Sequence, residues 1–363
     1  MKTDKQQRTS DHRLTIEPLG QTIDVEEDQT LLAACLRNGV WLPHACGHGL
    51  CGICKVQTLD GDLEHGEASP FSLMDFERDE GKCLACCATM MSDMTIEADI
   101  EPAPDAQYLP LMDFTASVSR IEDLPPTIKG GSLPSTVPNR CVSSPASTSV
   151  NLWIGDETTP RAFSIASAPS AGEIELNIRH VPIGKVTSYI HGQLAVSEEV
   201  RLPGPLGRFF VRKSDPRPLL FMAGGSGLSN PRSMILDLLE SGDSRPITLI
   251  QGTRNGGELY YRAEFKSLAE RHANFHYLPV LSGEADDSGW SGDRGYVHEL
   301  AARHYNHDFR GWRAYLCEPP PMIEACIATL MQGRLFEKDI FTEKFLSAAD
   351  ASQGTRSPLF RSL

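Results

Sequence analysis

Cys46, Cys51 and Cys54 fall within nine residues of "CGHGLCGICKV" together with Gly47, Gly49 and Gly52, and Cys83, Cys86 and Cys87 follow in "KCLACCATM". The spacing C-x4-C-x2-C, with another cysteine about thirty residues on, is that of a loop holding a plant-type [2Fe–2S] cluster. Thiolate is the soft ligand such iron takes, and glycines let backbone N–H groups approach the sulfurs with no side chain between. Structural zinc usually comes with two short cysteine pairs, and buried structural thiols sit in apolar segments; this loop has neither character. Spacing alone leaves Cys83, Cys86 and Cys87 all open as the fourth ligand. His44 and His48 lie in the same loop and read as solvent-facing side chains rather than ligands.

A small β-rich frame must hold such a loop. "RLTIEP" and "QTIDVEE" alternate like a two-strand hairpin, "QTLLAACLRNGV" reads as a short helix stopped at Gly39, and "MTIEAD" returns as a strand. Cys35 lies in the helix's apolar run and reads as packing. These elements mark out a first domain over residues 12–100, a proline-rich connector "EPAPDAQYLP" follows, and two further domains are expected over 111–212 and 214–350.

The whole chain agrees with that division. Its 363 residues, 40% hydrophobic and 23% charged, suit two or three soluble domains, and no stretch approaches the roughly 18 apolar residues of a membrane span. The N-terminal "MKTDKQQRTSDHR" has no apolar core and reads as a disordered leader rather than a secretion signal, so the cytoplasm is the expected compartment. There thiols stay reduced, and the clustering among the ten cysteines argues for a metal over disulfides. A net charge of −14 would repel a nucleic-acid backbone, so nucleic acid and membrane are both set aside as partners.

In the expected second domain "RAFSIAS" sets an arginine, a ring and a hydroxyl on a strand, where one face could present all three to one ligand. "LNIRHV" alternates as a strand and "GKVTSYIH" opens a helix. Gly184, Thr187 and Ser188 there could donate to a phosphate at the helix N-terminus, or could simply cap the helix. In the third, strand and helix patterns alternate through "PLLFMAGGSGLSNPRSMILDLLES", "ITLIQGTR", "FHYLPVLS" and "WRAYLCE", as in a parallel α/β sheet with its ligand at the carboxyl strand ends. The Gly224-Gly225-Ser226-Gly227 turn is a partial dinucleotide motif, since Asn230 stands at the third glycine position.

"WLPHACGHGLCGICKVQ", "GEASPFSLMDFERDEGK" and "LACCA" closely resemble the ferredoxin domain of flavin-dependent oxygenase reductases, and among them the reductase components of multicomponent bacterial phenol hydroxylases. The resemblance implies that Cys86 joins Cys46, Cys51 and Cys54 as cluster ligand, with Cys83 and Cys87 as neighbours. It implies a multidomain α+β and α/β chain: an N-terminal β-grasp ferredoxin, a flavin-binding antiparallel β-barrel, closed near the cofactor by the "GPLGRFF" turn, and a C-terminal parallel α/β nucleotide-binding domain. "RAFSIAS" resembles the flavin strand of ferredoxin–NADP reductase-like enzymes, which implies Arg161 on the FAD pyrophosphate, Phe163 on the isoalloxazine and Ser164 near its reactive edge. The glycine turn, Gly224, Gly225 and Gly227, resembles one that takes the NADH pyrophosphate. "YLCEPPPM" resembles a "YLCGPPPM" segment that puts Cys317 beside the nicotinamide, and "IFTEKF" puts Glu343 and Phe345 near the flavin. Arg254 could attract a 2′-phosphate, but Glu258 is close and the resemblance implies NADH. The implied path runs from NADH through FAD and the [2Fe–2S] cluster to a separate di-iron hydroxylase.

Two departures bear on that path. Glu318 replaces the glycine of the resembled segment, adding negative charge near an anionic dinucleotide and strain if the backbone there is left-handed, so weaker NADH binding is expected. Residues 130–149 hold 13 Ser, Thr, Pro or Gly among 20, where a barrel should supply two alternating strands. A compensated frameshift in the coding DNA or a natural loop insertion accounts for it; translation of the gene's other frames decides between them. Missing strands would weaken FAD retention. Two other functions therefore stay open, a reductase serving another oxygenase and a non-enzymatic ferredoxin-type electron carrier.

Overall fold

The computed structural model describes residues 12–101, 103–125, 127–134, 149–153, 161–182, 184–285, 288–318 and 320–345. The described residues divide into two compact units, the first running to Ala103 and taking in Tyr108–Met112, the second comprising Pro104–Gln107 and Asp113–Phe345. The second unit contains both the barrel and the parallel sheet.

Alternation builds the first unit. In β1 (His12–Glu17) Leu14 and Ile16 are fully buried, and β2 (Gln21–Val25) returns beside it with Ile23 and Val25 inside. Helix α1 (Leu31–Arg37) starts at Thr30, whose hydroxyl accepts the Ala33 N–H at 3.3 Å, and it ends where the sequence predicts, before left-handed Gly39. β3 (Lys55–Asp60), β4 (Leu63–Glu64), α2 (Asp75–Asp79), β5 (Lys82–Leu84), β6 (Thr89–Met90) and β7 (Met94–Glu97) follow. Five strands form a mixed sheet in the order β2-β1-β7-β3-β5, with β1 and β7 parallel at its heart, the β-grasp arrangement. Leu31, Leu32, Ala34, Cys35 and Leu36 bury one side of α1. Each buried leucine of this kind stabilises by about 1.5–3 kcal/mol, so the helix and β3 hold both ends of the cysteine loop firmly. Burial pushes the Cys35 thiol up to about 12, as befits a packing residue.

The second unit opens with β8 (Met112–Ser117), β9 (Arg120–Asp123), β10 (Ile128–Pro134), β11 (Ser149–Leu152), β12 (Arg161–Ser164), β13 (Glu173–Arg179), α3 (Lys185–Gly192) and β14 (Glu199–Gly204). These strands pair as β13-β10-β9, β11-β12 and β14-β8, and single bridges from Ser149 to Leu206, Trp153 to Arg201 and Ile165 to Leu176 join them. They surround a core that includes Leu133, Val150, Leu152, Leu176, Ile178 and Leu202. The expectation that the sequence from 130 onward lacks strands is corrected for its first residues. Gly130, Gly131, Ser132, Leu133 and Pro134 belong to β10, in register with β13 from Ile128–Arg179 to Pro134–Glu173. Pairing needs backbone groups rather than side-chain alternation; buried Ile128 and Leu133 seat the strand, and proline falls at its last residue, where a missing N–H costs least. Residues 135–148 of that stretch lie outside the described residues.

β15 (Leu219–Gly224), α4 (Ser229–Glu240), β16 (Ile247–Thr253), α5 (Arg262–Arg271), β17 (Phe275–Leu281), β18 (Asp293–Arg294), α6 (Val297–His304), β19 (Arg313–Glu318), α7 (Pro320–Gln332) and β20 (Ile340–Lys344) complete the unit. The strands form an all-parallel sheet in the order β18-β17-β16-β15-β19-β20. β15 is buried at every position, as a central strand covered on both faces must be. Strand order reverses between β15 and β19, so a crevice opens at their carboxyl ends, where such sheets take ligands. β19 carries through residue 318 in register with Lys344. The backbone at 318 is therefore extended, and the left-handed strain considered for Glu318 is absent.

Candidate functional site

In the first unit Gly47, Gly49 and Gly52 all take left-handed backbone, with φ of 70°, 79° and 74°. At Gly49 a Cβ would lie 2.8 Å from the Cys87 sulfur and 3.0 Å from the Glu67 carbonyl, so the loop closes only on glycine. The Ser72 hydroxyl donates to the Leu50 carbonyl, and the Ser69 N–H donates to that of Gly49 at 3.1 Å, bracing the loop from the segment before α2. The thiols meet in two pairs, Cys46 with Cys51 and Cys54 with Cys86. The Gly49 N–H donates to the Cys86 sulfur at 3.3 Å, and the Cys87 sulfur lies 3.6 Å from that of Cys86. A hydrogen bond from Cys51, assisted by the charge of His48, holds Cys46 down at about 5 against its burial, and the same bond pushes Cys51 up. Hydrogen bonds with Cys54 and Cys87, then burial, push Cys86 up.

Among the described residues no three His, Cys, Asp or Glu side chains converge on a single ion. Two thiol pairs with a backbone N–H on one sulfur form a donor set that suits two irons rather than one zinc, and the residues fit a [2Fe–2S] cluster on that ground. Cys83 is placed elsewhere, fully buried in β5 opposite Val56, with its thiol pushed up to about 12 by burial. The solvent-facing reading of His44 is corrected: it is 5% exposed, with Nδ1 2.8 Å from the Leu42 carbonyl and its ring 5.5 Å from that of Trp41. Buried Trp41 and Leu42 draw the chain inward just before the loop, and His44 goes with them. His48 is half-buried, with Nδ1 2.5 Å from the Cys46 carbonyl.

In the second unit Arg161 and Phe163 share one face of β12, and Ala162 and Ser164 the other, so a single face does not present charge, ring and hydroxyl together as the sequence suggested. Phe163 packs partly against the barrel core, while Ser164 is 9% exposed. At α3 the Thr187 hydroxyl accepts the Val181 N–H at 3.2 Å and lies 3.3 Å from the Gly184 carbonyl; Ser188 Oγ is 3.3 Å from His180 Nε2. A Cβ on Gly184 would meet Thr187 Oγ1 at 2.8 Å. Thr187 bonds within the turn that enters α3, while the N-cap, Gly184, takes no side-chain hydrogen bond.

The glycine turn leaves β15 at Gly224, passes left-handed Gly225 (φ 45°) and enters α4 through a short 3-10 turn ending at Leu228. The Tyr260 hydroxyl donates to the Gly225 carbonyl at 2.5 Å and pins the turn. Beside it, register sets Cys317 between Ala223 of β15 and Glu343 of β20. The fully buried Cys317 sulfur lies 3.9 Å from Glu343 Oε2, and the Asn230 side-chain amide donates to the same carboxyl. Desolvation pushes the half-buried Glu343 carboxyl up to about 8, against the hydrogen bond from Cys317. Asn230 Oδ1 is buried with no partner among the described residues. Phe345 packs against the core of the parallel sheet. The structure thus brings Cys317 and Glu343 together and adds Asn230, which sequence reasoning noted only as a missing glycine. Buried Arg232 and Glu175 and half-buried Tyr261 carried no motif at all.

Three family models match along the chain: the 2Fe-2S iron-sulfur cluster binding domain over residues 14–91, the oxidoreductase FAD-binding domain over 145–211 and the oxidoreductase NAD-binding domain over 221–327. Together they define an oxidoreductase that carries electrons from a nicotinamide through FAD to a [2Fe–2S] cluster. Over 352 residues, 96% of this chain and 99% of the relative, it is 53% identical to the reductase component DmpP of phenol 2-monooxygenase from Pseudomonas sp. strain CF600. The same figures hold for the phenol hydroxylase P5 protein of Acinetobacter pittii. The crystal structure of the Amycolatopsis reductase GcoB superposes with a TM-score of 0.83 at 31% identity, covering 92% of this chain and 98% of that one. The chain belongs to the family of phenol hydroxylase reductase components. Among the described residues no helix is long and apolar enough to cross a membrane.

Proposed function

We propose that this chain is the reductase of a multicomponent phenol hydroxylase, taking hydride from NADH and delivering single electrons to a separate di-iron hydroxylase in the cytoplasm. The observation that carries this reading is the 53% identity to the phenol 2-monooxygenase reductase component over 96% of the chain. FAD, when bound, converts a two-electron donor into one-electron deliveries, which the cluster passes on. Cys46 and Cys51 would hold one iron and Cys54 and Cys86 the other, the pairing in which their thiols already meet. The Gly49 N–H would hydrogen-bond a ligand sulfur, the interaction that tunes the potential of such a centre. Arg161 would hold the FAD pyrophosphate, Phe163 and Phe345 would line the flavin, and Gly184, Thr187 and Ser188 would shape the turn beside it. The turn at Gly224, Gly225 and Gly227 would take the NADH pyrophosphate. Ser164, Cys317 and Glu343 would stand at hydride transfer: Cys317 as a small side chain that lets two rings approach, Glu343 as a neutral carboxyl that puts no charge against the dinucleotide.

The test is the visible spectrum of anaerobically purified protein with iron, sulfide and FAD quantified, then NADH, then hydroxylase and phenol. About two irons and about one FAD per chain, bleaching on NADH, and phenol-dependent turnover are expected. Irons without flavin and no bleaching would replace this reading by the electron carrier, and turnover only with another oxygenase would move it to that system. Cys86→Ser is expected to lose iron where Cys83→Ala retains it.

A further inference from the structure

Residues 230–233, in the first turns of α4, reach in four directions. The Asn230 amide donates to Glu343. Arg232, 8% exposed, donates through Nη1 to the Ala166 carbonyl at 2.7 Å and to Glu175 Oε2 at 3.0 Å. Through Nε and Nη2 it grips both carboxylate oxygens of Glu264 at 2.7 and 2.9 Å. The Ser233 hydroxyl donates to the Ser167 carbonyl at 2.7 Å. The Arg232 guanidinium also lies 4.1 Å from the centre of the Tyr261 ring, and the Tyr261 hydroxyl donates to Glu175 and lies 3.0 Å from Asn177 Oδ1. Tyr261 itself takes the left-handed conformation (φ 56°) just before α5, which a tyrosine holds only where its surroundings fix it.

These contacts have a common direction. Ala166 and Ser167 continue the strand of Arg161–Ser164, and Glu175 lies on β13 next to it; Arg232 and Ser233 belong to α4, which leaves the glycine turn, and Tyr261 and Glu264 to the start of α5. Buried ion pairs add little net stability over apolar contacts of the same volume. What a planar guanidinium gripping one carboxylate on two sides does supply is a single allowed geometry. We propose that Arg232 is a positioning residue, which holds the helix leaving the Gly224–Gly227 turn in register with the 161–167 strand and so sets how closely NADH meets FAD. The proposal rests on the assignment of those two segments to FAD and NADH.

The test uses the full chain, loaded with FAD and cluster, with Arg232→Lys, which keeps the charge but lacks the planar fork. Anaerobic rapid mixing with NADH is expected to show the saturating rate of flavin reduction reduced on the order of 10- to 100-fold, the loss a misplacement of about 1 Å produces. FAD content and the dissociation constant for NADH should stay within about twofold. Hydrogen exchange without NADH should quicken at the amides of 166–167, 175, 229–230 and 232–233 and not elsewhere. Ser233→Ala and Tyr261→Phe, each removing one hydrogen bond, are expected to slow reduction several-fold, and they carry the test if Arg232→Lys does not fold. An unchanged saturating rate, or a slower one explained by weaker NADH binding or lost FAD, overturns the proposal. Arg161→Ala is the control for the underlying assignment: if it keeps its full FAD content, the flavin strand has been misassigned, whatever Arg232 does.

Discussion

Replacing Glu343 by glutamine removes a titrating proton while keeping the shape of the side chain. Burial raises this carboxyl from an ordinary 4.5 to about 8. A carboxyl whose folded pKa lies above its unfolded one stabilises the fold fully below the unfolded value, and that stability is lost as pH rises through the folded value. Between those limits the unfolded chain releases the proton and the folded chain keeps it, so stability falls by about 1.4 kcal/mol per pH unit and by about 5 kcal/mol at most over the interval. The Asn230 amide, bonded to the same carboxyl, favours the charged form, so a total of about 2–3 kcal/mol is expected. Glutamine has no such slope. Chemical denaturation of the FAD-loaded chain and of Glu343→Gln, from about pH 5 to about pH 9, should give similar stabilities at the acid end and an advantage for the variant that grows until about pH 8. Parallel pH profiles would show that Glu343 is charged throughout and refute the neutral-carboxyl account of the hydride-transfer crevice.

Three further outcomes follow from the same geometry. Gly49→Ala puts a Cβ 2.8 Å from the Cys87 sulfur at a left-handed position, and a cost of about 1–3 kcal/mol in loop closure should appear as iron and sulfide below wild type per chain. Glu318→Gly removes a carboxylate at the carboxyl end of β19, where an anionic dinucleotide would lie, and should lower the KM for NADH several-fold; an unchanged KM rejects the charge argument. With a net charge of −14, the chain should meet a basic surface on its hydroxylase, so coupled turnover should fall as salt rises, whereas a salt-independent rate argues for an apolar interface.

The cysteine loop was legible because its chemistry is local: spacing and glycines within nine residues of one another fixed both the ligand type and the backbone it needs. The choice among Cys83, Cys86 and Cys87 was not, because all three satisfy the spacing; packing sets Cys83 apart, opposite Val56, and leaves Cys86 against Cys54, Cys87 and the Gly49 N–H. The parallel sheet was legible from its alternating strands and helices, since a continuous apolar run such as "LLFMAG" has few other uses. β10 was hidden because its own side chains do not alternate, and backbone pairing with neighbouring β9 and with β13, about 45 residues away, supplies what they do not signal. The Arg232 cluster was hidden for the same reason. Its members come from β13, α4 and the start of α5, and each taken singly looks like an ordinary surface charge or ring.

Asn230 shows how a departure from a motif can mislead. Glycine at that position allows close packing of helix on strand, so asparagine counted against a dinucleotide turn. In the fold the residue is 1% exposed, and its amide is spent on the Glu343 carboxyl, one strand over from Cys317. A glycine there would leave the half-buried Glu343 with the Cys317 thiol, 3.9 Å away, as its hydrogen-bond partner among the described residues. Buried polar groups are costly unless partnered, so asparagine at 230 and glutamate at 343 make each other tolerable. The remaining carbonyl oxygen of Asn230 is buried and without a partner among the described residues. The substitution that weakens the motif is therefore the one that gives the Glu343 carboxyl its amide donor.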